Sequence, residues 1–312
     1  MNILVTGGAG FIGSHFIDAM FDDPRVKIKT LIVLDKLTYA GHTENLKGHF
    51  DKKYFRFIQG DINNEDILKE INSNLDWIIN FAAESHVDRS ITASRDFLNS
   101  NFVGVDTLLR SIINSKTKFL QISTDEVYGS IESGMADENH PLKPSSVYSS
   151  TKASADLLAL SYMKTFKIPV VITRTCNNFG PRQNSEKLIP LAINAALMNA
   201  PIPIYGDGKN IREWIPVEMN ARAIIDVMLK GEMGNIYNIG SNNLIDNISL
   251  AEKIISLTKS KSKIVFVADR KGHDVRYCIN SLKYKNISTL SSKFDFDDEL
   301  LKTIDSFTHH IN

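Results

Sequence analysis

The sequence predicts an α/β fold built on a doubly wound parallel sheet, followed by a smaller C-terminal lobe. Short, nearly continuous apolar runs alternate with helical patterns through the first half of the 312-residue chain. Polar residues bound each run, which is typical of parallel strands covered on both faces. The alternation weakens after Arg174, where turn signals such as Asp207-Gly208 separate shorter elements. We therefore expect a sheet domain over residues 1–174 and a lobe formed mainly by residues 175–312, with some later segments returning to the sheet.

Six apolar runs account for the strands of the predicted sheet. They span residues 2–5, 31–34, 55–58, 77–81, 119–122 and 170–173. Between and after them lie helical patterns, of which two matter for the argument below. Residues 101–109 carry an apolar face with helical spacing, and a longer pattern of the same kind begins at Tyr148.

Charge and cysteine content narrow the classes of function. Lysine plus arginine and aspartate plus glutamate number 36 each, so the formal net charge is zero and the basic excess expected of a nucleic-acid-binding protein is missing. Cys176 and Cys278 are too few for a disulfide framework and are not spaced as metal ligands. The N-terminal stretch lacks the features of a signal peptide, and no apolar run approaches the roughly 20 residues of a membrane span. We expect a soluble cytoplasmic protein that binds no nucleic acid, membrane or metal.

The first strand runs directly into a glycine-rich segment, "TGGAGFIGS". Gly8, Gly10 and Gly13 fit G-x-G-x-x-G, and Gly7 adds a second glycine spacing. Glycine permits a tight turn from strand to helix and lets a pyrophosphate approach the N–H groups at the helix N-terminus. The motif is weak alone, but here a strand precedes it and a helical pattern follows it. The segment therefore predicts a dinucleotide-binding sheet of the Rossmann type.

Asp35 ends the second strand twenty-two residues after Gly13. A carboxylate at this place can accept hydrogen bonds from both hydroxyls of an adenosine ribose and repels a 2′-phosphate, which favours NAD over NADP. Lys36 beside it weakens that preference slightly. Asp61 ends the third strand, where an adenine contact and a plain turn acid explain it about equally well.

The segment Ser123-Thr124-Asp125-Glu126 follows the apolar run 119–122. A hydroxyl and two neighbouring carboxyl groups are therefore expected at the C-terminal end of a buried strand. Loop solubility is one explanation for two acids there. Acid–base chemistry is the other, because two carboxyl groups of different proton affinity can serve as acid and base in one reaction.

Tyr148 and Lys152 are spaced four residues apart at the start of a predicted helix. This spacing places both side chains on one helix face, about 6 Å apart along the axis. A cation roughly 4 Å from a phenol favours the phenolate by about 4 kcal/mol at an effective dielectric of 20. Desolvation offsets part of this gain. We therefore expect Lys152 to lower the pKa of Tyr148 toward a value usable for a base.

The glycine-rich segment, the acidic pair and the tyrosine–lysine pair together resemble the extended short-chain dehydrogenase/reductase family. Within that family the chain is most similar to nucleotide-sugar 4,6-dehydratases that act on dTDP-glucose. The similarity covers nearly the whole chain and is carried by eight stretches in the expected order: "TGGAGFIGSH", "LDKLTYAG", "FAAESHVDRSI", "STDEVYG", "YSSTK", "NNFGPRQNSEKLIPL", "PIYGDGKNIREW" and "DRKGHDVRY". Ser185, Pro216 and Met219 depart from the residues that are common in the family.

The resemblance implies a separate role for each catalytic residue. Tyr148 with Lys152 would take the proton of the sugar's 4-hydroxyl as C4 is oxidised, and Thr124 would hold the same oxygen. Glu126 would remove the C5 proton, and protonated Asp125 would release the 6-hydroxyl as water. Epimerases of the family usually lack both acids, so Asp125 is the residue that indicates dehydration.

Further contacts are implied by the same resemblance. The NAD contacts would be Gly7, Gly10, Phe11, Ile12, Gly13, Asp35, Lys36, Thr38, Gly41, Asp61, Ile62, Ala82, Ala83, Ser85, Asn101, Tyr148 and Lys152. The substrate contacts would be His86, Thr124, Asn177, Lys187, Leu188, Tyr205, Arg212, Asn247, Arg270, His273 and Tyr277. Arg212 and Arg270 suit a diphosphate because a guanidinium fork matches phosphate oxygens, and a surface ion pair is the plainer explanation of either. In family dimers the helices at 101–109 and from Tyr148 pair, although burial against the sheet explains the apolar face of the first equally well.

Three hypotheses about function follow from the sequence. The first is NAD-dependent dehydration of dTDP-glucose to a 4-keto-6-deoxy sugar, in a homodimeric enzyme. The second is the same reaction on UDP-glucose or a UDP-N-acetyl sugar, which Thr124, Asp125 and Glu126 do not exclude. The third is an NAD-binding regulatory protein without turnover, which the presence of both Tyr148 and Lys152 disfavours. The lobe 175–312 is assigned to the nucleotide sugar and residues 1–174 to NAD.

Overall fold

A computed structural model describes residues 1–71, 74–288 and 293–308. Within these ranges the strands are β1 Asn2–Thr6, β2 Thr30–Asp35, β3 Phe55–Gln59, β4 Trp77–Asn80, β5 Lys118–Thr124, β6 Val170–Thr175, β7 Asn177–Phe179, β8 Ile202–Tyr205, β9 Ile211–Pro216, β10 Ile236–Ile239, β11 Leu244–Asp246 and β12 Ile264–Val267. The α-helices are α1 Phe11–Asp22, α2 Glu65–Ile71, α3 Val87–Thr92, α4 Ser94–Leu98, α5 Gly104–Arg110, α6 Val147–Phe166, α7 Leu188–Leu197, α8 Val217–Lys230, α9 Asn247–Leu257, α10 Leu282–Lys285 and α11 Phe296–Thr308.

The main sheet has seven parallel strands in the order β10-β6-β5-β4-β1-β2-β3. The six predicted runs each form one of these strands, and the predicted doubly wound fold is confirmed. The order reverses direction between β1 and β4, which is where such sheets bind ligands at their carboxyl ends. The seventh strand, β10, comes from the second half of the chain.

Helices cover both faces of this sheet, as the continuous apolar strands require. On one face α1 and α8 pack their apolar side chains, such as Phe16 and Ile224, against Val5 and Leu120. On the other face α5 and α6 cover a second core that contains Phe119. Among the described helices, none is long and apolar enough to cross a membrane.

A third hydrophobic core lies outside the main sheet. Helices α7, α9 and α11 contribute Ile193, Ile254 and Leu300, which pack around Phe179 and Trp214. Two small sheets border this core, one with the order β11-β9-β7 and one formed by β12 and β8. Strands β7 and β9 therefore carry residues from this core toward the carboxyl ends of β5 and β6.

The helix predicted over 101–109 is present but irregular at its start. A π-helical turn spans Asn99–Val103 and passes into α5 at Gly104. The π turn inserts an extra residue into the helix and buries the Asn101 side chain to 1% exposure. This detail changes the role of Asn101, as described below.

Candidate active site

The glycine-rich segment turns the chain from β1 into α1. Gly7 has a positive φ of 67°, and a Cβ added there would lie 2.6 Å from the Ala82 backbone nitrogen. A Cβ on Gly13 would lie 2.4 Å from the carbonyl oxygen of Gly7. Gly10 caps α1 without any side-chain hydrogen bond from the described residues to the first helical N–H groups. The turn is therefore a bare backbone cradle that suits a pyrophosphate.

Asp35 lies beside this cradle at the end of β2. Its two carboxylate oxygens accept hydrogen bonds from the backbone N–H groups of Ala9 and Leu37, each at 2.9 Å. Burial raises the pKa of Asp35, and these two hydrogen bonds oppose the rise. Lys36, which was expected to weaken the preference for NAD, forms an ion pair with Asp61 at 2.8 Å. Its charge is thereby matched by an acid that follows β3, and the cradle fits NAD.

The two acids lie where β5 ends. Thr124 is the last strand residue, and its Oγ1 accepts from the Glu126 N–H at 3.3 Å and donates to Asp125 Oδ1 at 3.2 Å. A short 3₁₀ turn over Asp125–Tyr128 follows and ends at Gly129, whose φ is +72°. The side chain of Asp125 is buried, and its Oδ2 has no hydrogen-bond partner among the described residues. Asp125 therefore faces the interior, while Glu126 is half-buried.

Neighbouring charges separate the proton affinities of the two acids. Burial, then Glu126, then Glu213 raise the pKa of Asp125 well above its usual range. Burial also raises the pKa of Glu126, but Arg270, Lys187 and Arg212 oppose it. Asp125 is thus the group held protonated, and Glu126 is the better candidate for a base.

Tyr148 and Lys152 lie on the first turns of α6, which a capping box formed by Ser146 and Ser149 starts. Burial and then Glu126 raise the pKa of Tyr148, and a hydrogen bond with Thr124 opposes them. Burial lowers the pKa of Lys152 to about 8. Its ammonium group donates to the Ile122 carbonyl at 2.5 Å. Without the cofactor's charge, burial and Glu126 therefore set the pKa of Tyr148, and the expectation that Lys152 lowers it stays a prediction.

A buried ion pair between Arg174 and Asp156 lies close to Lys152. Arg174 Nε donates to Asp156 Oδ2 at 2.9 Å, and Ser123 Oγ donates to the same oxygen at 3.0 Å. Asp156 follows Lys152 by one helical turn and opposes the fall in the pKa of that lysine. The sequence did not single out Asp156, because a polar residue inside a helical pattern gives no signal of burial.

Three cations lie opposite the acids. Arg212 is buried, its Nη2 donates to the Asp274 carbonyl at 2.8 Å, and its guanidinium stacks 4.3 Å from the Tyr277 ring centroid. Lys187 donates to the Ser85 carbonyl at 2.8 Å. Arg270 has one carboxylate nearby, that of Asp88 at 3.8 Å. Within the described ranges neither Arg212 nor Lys187 has a carboxylate within 4.0 Å, so the cluster suits an anionic ligand such as a diphosphate.

One cavity of about 490 Å³ brings these groups together. Its walls contain the predicted cofactor residues Gly7, Gly10, Phe11, Ile12, Gly13, Asp35, Lys36, Thr38, Gly41, Asp61, Ile62, Ala82, Ala83, Ser85, Tyr148 and Lys152. They also contain Thr124, Asp125, Glu126 and the predicted substrate residues His86, Asn177, Lys187, Leu188, Tyr205, Arg212, Asn247, Arg270, His273 and Tyr277.

Asn101 is the predicted cofactor residue that does not lie on the cavity wall. Its Oδ1 accepts from the Glu84 N–H at 2.8 Å, and its Nδ2 donates to the Glu84 carbonyl and to Thr151 Oγ1, each at 3.0 Å. The π turn directs the side chain behind the wall, so the prediction of a cofactor contact is corrected. Asn101 instead ties residue 84, which does line the cavity, to α6.

Sequence reasoning missed several acids in and around the cavity. Asp88 and Glu186 line it, and Glu213 lies behind it with no exposed surface. All three lie inside stretches that carry the family resemblance, and this position was the one sequence feature that could have pointed to them. Their roles depend on partners far along the chain, and single-chain spacing does not reveal such partners.

Comparison with known proteins agrees with this geometry. The family model described as GDP-mannose 4,6 dehydratase matches residues 4–302, and the chain belongs to that family. The predicted resemblance to nucleotide-sugar 4,6-dehydratases is thereby confirmed.

Three relatives illustrate the similarity. The low-salt glycan biosynthesis protein Agl12 of Haloferax volcanii is 46% identical, over 98% of each chain. A dTDP-glucose 4,6-dehydratase of an Actinoplanes species is 41% identical, over 97% of each chain. The solved structure of DesIV, a dTDP-glucose 4,6-dehydratase of Streptomyces venezuelae with NAD bound, is 41% identical with a TM-score of 0.96, covering 99% of this chain and 97% of that one.

Proposed function

We propose that the protein is an NAD-dependent enzyme that converts dTDP-glucose to dTDP-4-keto-6-deoxyglucose. Relatives with the name dTDP-glucose 4,6-dehydratase match nearly the whole chain, and one of them was solved with NAD bound. The observation that carries the proposal is the placement of Asp125 and Glu126 in one cavity with the glycine cradle and Tyr148. An NAD-dependent epimerase needs no such pair of carboxyl groups.

The residues divide the reaction between them. When bound, NAD supplies a hydride acceptor for C4 and a hydride donor for C6, and its oxidised form adds a positive charge to the site. Tyr148 takes the proton of the 4-hydroxyl, and Thr124 holds the same oxygen. Glu126 removes the C5 proton, which the new C4 ketone makes acidic, and Asp125 protonates the departing 6-hydroxyl. Glu126 then returns a proton to C5.

The nucleotide binds through the second half of the chain in this proposal. Arg212, Arg270 and Lys187 would take the diphosphate, since their charges have few close partners in the protein. Residues 1–174 would then bind NAD and residues 175–312 mainly the nucleotide sugar. Asp35 would accept the ribose hydroxyls of NAD.

We further propose a cytoplasmic homodimer. Cys176 and Cys278 are both free and buried, which suits a reducing compartment. Leu98, Val103 and Leu157 are exposed on α4, the π turn and α6. The three elements contact one another, and exposed apolar residues grouped on neighbouring elements mark association surfaces in soluble proteins.

Activity with defined substrates tests the function. The purified protein is incubated with dTDP-glucose, UDP-glucose or UDP-N-acetylglucosamine, and the alkali-dependent absorbance of a 4-keto-6-deoxy product is followed. We expect the highest kcat/KM with dTDP-glucose. A higher value with a UDP sugar would refute the nucleotide assignment alone, and the absence of product from every sugar would refute dehydration.

A further inference from the structure

Arg89, on the solvent side of α3, contacts two segments that are far apart in the sequence. Its Nη2 donates to Glu186 Oε1 at 2.5 Å. Its guanidinium carbon lies 3.9 Å from the centroid of the Tyr39 ring. The Arg89 and Glu186 side chains are 43% and 40% exposed, so this bridge lies at the surface of the molecule.

Both segments border the cavity. Tyr39 lies between Thr38 and Ala40, which line the cofactor part of the wall. The segment that contains Tyr39 is in turn held to the glycine cradle, because the His42 N–H donates to the Ala9 carbonyl at 3.0 Å. In the second segment, Glu186 itself lines the cavity beside the nucleotide-sugar residues.

Other contacts hold the segments of Tyr39 and Glu186 against the stretch that follows β4. Burial and then Glu84 raise the pKa of Tyr39, and Arg89 and the Ser85 backbone oppose them, so this tyrosine lies close to the stretch after β4. Lys187, next to Glu186, donates to the Ser85 carbonyl at 2.8 Å. Arg89 therefore joins two segments that both already touch the stretch after β4.

We propose that Tyr39, Arg89 and Glu186 form a clasp over the cavity that slows the release of NAD(H). This inference rests on the proposed function, in which the cofactor is reduced in the first half of the reaction and must be reoxidised in the second. Loss of NADH between these halves would leave the sugar dehydrated and the enzyme without its hydride. An exposed clasp can open to admit cofactor and still delay its escape.

Release of NADH in the absence of sugar tests the clasp directly. NADH is loaded onto the protein and displaced with excess NAD, and its fluorescence gives the dissociation rate constant. We expect Arg89→Met, which removes both contacts, to raise this constant about ten-fold, in line with one exposed ion pair and one exposed cation–π contact. Glu186→Gln, which keeps the stack on Tyr39, should raise it about three-fold.

A double-variant cycle separates a clasp from a general structural effect. The variant with both changes should release NADH no faster than Arg89→Met alone, because Glu186 acts through Arg89. Arg56→Met is the matched control, since Arg56 is an exposed arginine on β3, and we expect the wild-type rate from it. Thermal unfolding of each cofactor-free variant checks the fold.

The results that overturn the clasp are distinct from those that overturn the function. Release by Arg89→Met and Glu186→Gln within two-fold of wild type, or equally fast release by Arg56→Met, refutes the clasp. Fully additive effects of the two changes refute the coupling. Since no sugar is present, failure to dehydrate dTDP-glucose would leave these rates unaffected. If Arg89→Met does not fold, Glu186→Gln and Tyr39→Leu carry the same test.

Discussion

Replacement of Asp125 by asparagine is the most direct test of the acid–base assignment. The change is nearly isosteric and keeps an oxygen that can accept the 3.2 Å hydrogen bond from Thr124. Because burial and two neighbouring carboxyl groups hold Asp125 protonated, both side chains are neutral in the folded protein. The variant therefore removes a transferable proton without changing the charge of the site.

The size of the effect follows from that single loss. A positioned general acid contributes about 10²- to 10⁴-fold to a rate, which corresponds to about 3 to 5 kcal/mol of activation free energy. This loss falls on the departure of the 6-hydroxyl. Oxidation at C4 depends instead on Tyr148 and Thr124, so we expect it to change much less.

A rapid-mixing experiment with dTDP-glucose resolves the two steps. NADH absorbance should rise at a near wild-type rate in Asp125→Asn and then persist, while the 4-keto-6-deoxy product forms slowly. Asp51→Asn, at an exposed position, serves as the control. Product formation at the normal rate, or an equal slowing of oxidation and elimination, would contradict the assigned role.

Three further outcomes are expected. Gly13→Ala places a Cβ 2.4 Å from the Gly7 carbonyl oxygen, so it should lose bound NAD and about 1–3 kcal/mol of stability in thermal unfolding, whereas Gly48→Ala, which meets no atom within 4 Å, should change neither. Folding lowers the pKa of Lys152 from 10.5 to about 8, so the unfolded chain binds more protons between these values. The free energy of unfolding of the cofactor-free wild type should therefore rise with pH across that window relative to Lys152→Met, and parallel urea titrations without this trend would contradict it. Leu157→Glu should convert the proposed dimer to a monomer in sedimentation velocity, and Met198→Glu, at another exposed apolar position, should not.

Local patterns were enough to predict the sheet and the cradle. The apolar runs predicted the strands because a parallel strand that is buried on both faces is apolar at nearly every position. The run 119–122 was predicted two residues short at its end, since β5 continues through Ser123 and Thr124. This extension makes Thr124 a strand residue and directs Asp125 into the following turn. The predicted position of the two acids, at the end of a buried strand, was still correct.

The sequence did not reveal partners that only the folded chain brings together. Helical periodicity predicted a regular helix at Asn101, but a π turn there directs the side chain to Glu84. The spacing of Tyr148 and Lys152 predicted two side chains on one helix face, but it did not reveal that Lys152 donates to a carbonyl of β5. In both cases a backbone group satisfied the side chain, and sequence spacing carries no information about such groups.

The same cations that would bind the diphosphate also set the proton affinity of the base. Arg270, Lys187 and Arg212 hold the pKa of Glu126 below the value that burial alone would give. A bound diphosphate compensates their positive charge, so we expect the pKa of Glu126 to rise when substrate binds, which strengthens it as a base. The reaction needs ionised Glu126 and fails as pH falls through its pKa. The acid limb of kcat should therefore lie at higher pH than that of kcat/KM, and coincident limbs would show that the cations do not couple substrate binding to the base.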